Sequence, residues 1–105
     1  MATDNKQAMG NDNLYKVVFS KPYTFEDETY DGIDLTGCSE LTGNDAAKAE
    51  KIMAARGETN IFPEMSSTYA FVLASMGTGK PVEFFTGLPL KDSTKVKNRV
   101  RACFL

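Results

Sequence analysis

Gly77-Thr78-Gly79-Lys80 is the one stretch of this chain with the look of a phosphate cradle, where backbone amides and a lysine would hold phosphate at a helix start. The full pattern needs a glycine five positions before Gly79, a Ser or Thr after the lysine, and a strand in front. This chain has Ala74, Pro81 and a helical pattern in those places. Glu26-Asp27-Glu28 with Asp31 and Asp34 gathers carboxylates of the kind that hard cations want, but in no EF-hand spacing, and a solvated hairpin tip accounts for them. Cys38 and Cys103 stand in no metal-ligand spacing and, with no export signal, read as reduced thiols. Histidine is absent, which removes the usual general base near neutral pH and the commonest transition-metal ligand. No Ser, Thr or Tyr has a visible activating partner. The expectation is a protein without catalytic, metal or cofactor site.

Lys91, Lys95, Lys97, Arg99 and Arg101 face Asp92 alone in the final segment and raise the question of nucleic acid. Their charges are divided across an apolar stripe and the whole chain is acidic, at net -2, so a packed helix with snorkelling basic flanks is the better reading. The two halves differ in sign. Residues 1–57 hold ten acidic against six basic side chains, and residues 58–105 four against six. Such polarity steers encounters and register more than it adds affinity.

The elements that would position these residues follow from pattern. A chain of 105 residues with 42% apolar and 25% charged residues suits one soluble domain with a modest core. No apolar run reaches the roughly 20 residues of a membrane span, and the opening lacks a signal-peptide stretch, so the expected location is the cytoplasm. Residues 1–13 are too polar to bury anything and read as a disordered tail, with a single domain over 14–105. A strand is expected over Tyr15 to Phe19, ended by Pro22. A hairpin then turns at Glu26 to Glu28 and sets Tyr23 and Phe25 against Tyr30 and Ile33, with Asp31-Gly32 as a bulge.

An alanine-rich helix should run from near Asn44 to near Arg56, capped by Thr42 or Asn44 and stopped by Gly57. It carries few large apolar residues, which suits a helix lying across the domain or facing a neighbouring subunit. Pro63 suits the first turn of a central helix whose stripe is Met65, Tyr69, Val72, Leu73 and Met76 and whose stop is Gly77. Pro81 opens a short helix with Val82, Phe84 and Phe85. Leu88-Pro89 turns into a last helix, capped near Asp92 or Ser93, with Val96, Val100, Cys103 and Phe104 on one side. The fold class is α+β: an N-terminal antiparallel hairpin or small sheet packed on three main helices and one short one.

Three phrases in this order resemble the tail assembly chaperones of tailed bacteriophages and prophages, in the branch with contractile tails. VVFSKPYTFEDETYDGIDL is similar to that family's short strand, Lys-Pro, aromatic hairpin and Asp-Leu close. LTGND opens the first helix, and FPEMSSTYAFVLASMGTGKPVEFFTGLPLKDSTKVKNRVRACFL is similar to its second half. The resemblance covers roughly Leu14 to Leu105. It implies a non-catalytic factor that binds the helical tape-measure protein in the host cytoplasm, helps tail-tube protein polymerise around it, and is shed before the virion is mature. It also implies that this chain would be the shorter product where a frameshifted longer form exists. No ligand motif of the family carries over by position.

A client with long apolar stripes would be met by adaptable aromatic and Met side chains, for which Phe62, Met65, Phe84, Phe85 and Phe104 are the candidates. At each of them a core role outweighs the binding role, because so short a chain needs its large apolar residues inside. Self-association is a companion expectation, since coating a long client favours several copies. The competing function is a structural tail completion or connector component of the virion.

Overall fold

The hairpin begins the structure, a computed structural model that describes residues 14–57 and 66–105. Strand β1 (Lys16–Phe25) pairs antiparallel with β2 (Glu28–Asp34). Between them Glu26 and Asp27 take positive φ of 49° and 69°, the twist-matching geometry of a two-residue turn. The turn is therefore where the charged triplet placed it, and Tyr23 does face Tyr30. Two expectations change. Strand β1 does not end before Pro22 but runs through it, and Ile33 pairs with Val17 while Phe25 pairs with Glu28. The irregularity falls between Val18↔Gly32 and Tyr23↔Tyr30, so Phe19, Ser20, Lys21 and Pro22 stand against Asp31 alone. The surplus residues thus lie on β1, where proline cannot donate to a ladder.

After a 3₁₀ turn at Thr36–Glu40 come helices α1 (Gly43–Ala55), α2 (Ser67–Thr78), the short α3 (Val82–Thr86) and α4 (Leu90–Phe104). The Asp45 carboxylate accepts the Thr42 amide at 2.9 Å, closing the first turn of α1, and Gly57 follows its end at φ 86°. Ser66 Oγ accepts the Tyr69 amide at 3.3 Å at the start of α2. The expected stop at Gly77 moves two residues on: Gly79 is the left-handed residue, at φ 79°, and Gly77 is helical. Gly77 is glycine for another reason, since a Cβ there would lie 2.7 Å from Cys38 N and 2.8 Å from Cys38 Cα. The 3₁₀ turn and α2 touch backbone to backbone.

Helix α2 is central. Tyr69 through Ala74 are all buried, because α1, the 3₁₀ turn, α3 and α4 pack around it. Phe84 is fully buried among the rings of Tyr23, Phe25, Tyr30 and Phe85, with centroids 5.0 to 5.3 Å away in edge-on contacts. This aromatic knot fastens the sheet to the helices. The architecture is α+β, a two-stranded antiparallel sheet on three main helices and one short one. Phe62, Pro63 and Met65, and the polar residues 1–13, lie outside the described residues.

Candidate protein-binding groove

Several of the residues that could have carried chemistry are taken up by structure. Thr78 Oγ1 donates to Ala74 O at 2.7 Å, and the Lys80 ammonium donates to Tyr30 Oη at 3.0 Å, above that ring. Tyr30 in turn donates to Glu28 at 2.8 Å, and Asp34 accepts the Thr36 amide at 2.9 Å. Among the described residues no cluster of acidic or thiol groups could hold a metal ion. Burial pushes the Cys38 thiol up to about 11, which leaves it protonated and unreactive near neutral pH.

The cap of the last helix, expected near Asp92 or Ser93, is at neither. The helix begins at Leu90, after Pro89, and Asp92 is instead fully buried, accepting the Ser20 amide at 2.8 Å and the Ser20 hydroxyl at 3.1 Å. Lys95 donates to Val18 O at 3.0 Å, and Arg99 donates to the carbonyls of Leu14 at 2.6 Å and Lys16 at 2.9 Å. Thus α4 runs along the outer edge of β1 and meets its alternate backbone groups with side chains. Two of the five cations that suggested nucleic acid serve the fold.

Of the candidate contact residues, Phe84 and Phe85 have no exposed surface, so in this fold they are core and reach no client. Phe104 is half-buried and stacks on Tyr15 at 5.3 Å between ring centroids. It lines an open groove of about 480 Å³. Buried Tyr69, Leu73 and Val100 give its depth, from α2 and α4. Its rim is Leu41, Thr42, Gly43 and Ala46 from the start of α1 against Cys103, Phe104 and Leu105 from the end of α4. Sequence reading found Phe104 but not Tyr15, Leu41 or Ala46, since nothing in local pattern brings the first strand, the helix start and the chain end together.

The groove's lining is mixed, with Leu41, Ala46, Leu73, Val100 and Phe104 supplying apolar surface beside the Thr42, Ser39 and Tyr15 hydroxyls and other polar groups. Among the described residues that line it there is no nucleophile paired with a base and no cation. What it offers is apolar contact to one side of an inserted segment. Comparison with protein-family models, with curated proteins and with solved structures finds no match to this chain.

Proposed function

We propose that this chain is a non-catalytic tail assembly chaperone of a tailed phage or prophage, which binds the tape-measure protein and promotes tail-tube assembly. The observation that supports it most is the open groove between the start of α1 and the end of α4, where Phe104 and Leu105 lie beside Tyr15 and Leu41. An α-helix is about 10 Å across, and a groove of this size seats a turn or two of one apolar stripe. The client's apolar stripes are exposed until the tube covers them, so shielding of this kind keeps it soluble. The order of sequence phrases supplies the identity of the client, and the lack of catalytic grouping in the groove is compatible with a binding role.

The working location is the host cytoplasm, with the chain leaving before the virion matures. A structural tail component would instead be present in finished particles in stoichiometric amount, which mass spectrometry of purified tails decides.

The direct test is co-expression with the tape-measure protein encoded nearby. Wild-type chain should recover the client in the soluble fraction, and omission should leave it in the pellet. Ala46→Arg places a long cation on the groove rim without touching the core and should weaken capture about tenfold or more while the helical circular dichroism stays unchanged. A client equally soluble alone defeats the reading.

A further inference from the structure

The two edges of the sheet are treated differently. In an antiparallel pair, backbone groups point alternately toward the partner strand and away from it. Leu35 donates its amide to Tyr15 O at 2.9 Å, so Ile33 and Val17 also face one another, while Lys16, Val18, Gly32 and Asp34 turn outward. At the other end the two-residue turn makes Phe25 and Glu28 the closing bonded pair, which turns Thr24 and Thr29 outward. The outward groups of β1 are met by Arg99, Lys95 and Asp92 of α4.

Among the described residues the outward groups of β2 have no such cover; Gly32 and Asp34 are two residues apart, as a pairing strand requires, whereas Thr29 lies across the irregularity at Asp31 and is out of phase with them. Among the described residues β1 is the one element whose backbone pairs with β2, and Glu28, Thr29, Asp31 and Asp34 are exposed. An uncovered edge is a template for a further strand. Its charge decides which strand. Glu26, Asp27, Glu28, Asp31 and Asp34 stand along this edge and its turn, all exposed. A second copy pairing antiparallel about Asp31 would set Asp31 against Asp31 and Glu28 against Asp34, like charges directly opposed. Self-pairing is refused by the same charges that favour a cationic strand.

We propose that the outer edge of β2 accepts, as a third strand, an extended segment of a partner protein carrying lysine or arginine at alternate positions. Backbone hydrogen bonds to Gly32 and Asp34 set its register, and the carboxylates select its sign. The site is separate from the groove and does not depend on what the groove binds.

The test uses the full chain and three synthetic peptides: one alternating lysine with threonine, its glutamate counterpart, and the lysine peptide N-methylated on alternate backbone amides. The lysine peptide should bind and shift the amide resonances of Gly32 and Asp34, weakening as salt rises. The glutamate peptide should not bind, and N-methylation should weaken binding about tenfold, since it removes the donors without changing charge. The double variant Glu26→Lys/Asp31→Lys alters two carboxylates outside the hydrogen bonds described above, leaves three against two lysines, and should weaken binding of the lysine peptide about tenfold or more. Undiminished binding of the methylated peptide, or shifts confined to other surfaces, reduces the interaction to unspecific charge attraction and overturns the proposal. So does a concentration-dependent dimer whose interface protects the β2 amides.

Discussion

At the scale of single residues, Asp92 carries the most consequence. A carboxylate with no exposure is tolerated because it receives both the amide and the hydroxyl of Ser20, with the Lys95 ammonium 3.8 Å away. Removing it strands a buried backbone donor. Asp92→Ala should lower unfolding free energy by about 2–3 kcal/mol in urea titration, and Asp92→Asn by less, since an amide oxygen can still accept one bond. Gly77 gives a prediction whose sign runs against propensity. Alanine is the better helix former by about 1 kcal/mol, yet its Cβ would meet Cys38 backbone, which cannot swing aside. Gly77→Ala should therefore destabilise by about 1–3 kcal/mol, with the midpoint of thermal unfolding falling accordingly. Gly79→Ala is strained for a different reason, its φ of 79°, and meets open space.

At the scale of elements, α4 does two things that a helical wheel shows as one. Val96 and Val100 are buried against α2, while Lys95 and Arg99, one turn apart, reach across to the edge of β1. An edge strand covered by charged side chains is closed to pairing without being paired. Lys95→Ala/Arg99→Ala should leave the core intact but loosen the strand, on the order of 1 kcal/mol. Hydrogen exchange would read this as faster exchange at Val17 and Ile33 with α2 amides unchanged. Helix α1 is the converse case. It buries only Ala49 and Met53 on the domain and leaves Ile52 38% exposed, in keeping with its few large apolar residues.

At the scale of the whole molecule, pH dependence follows from the thiol at the junction of α2 and the 3₁₀ turn. Burial raises Cys38 from 9.0 to about 11, so the folded state keeps a proton that the unfolded chain loses first. Its contribution to stability is complete below about pH 9 and is lost as pH climbs toward 11. Denaturant midpoints measured across that interval should fall in the wild type more steeply than in Cys38→Ala. Half-buried Cys103 should be alkylated at neutral pH well before Cys38.

Much of this organisation could be read from residue types. The Glu-Asp-Glu turn, the start of α1 at Thr42 or Asn44, Gly57, and the prolines before α3 and α4 act locally, through backbone preference and hydrogen bonds a few residues long, so the letters alone determine them, although the choice of Thr42 with Asp45 as the capping pair came from the structure. The same holds for the absence of histidine and the α+β order of elements. The tertiary structure alone decided what depends on distant parts of the chain meeting: Gly77 against Cys38, Asp92 against Ser20, Arg99 against the carbonyls of Leu14 and Lys16, and Phe84 inside a ring of strand aromatics. Asp92 has the sequence look of a cap and Gly77 of a stop, because composition reports what a residue prefers and not what approaches it. The groove has the same origin, since Tyr15, Leu41 and Phe104 become neighbours only when the first strand, the start of α1 and the end of α4 are packed around one central helix.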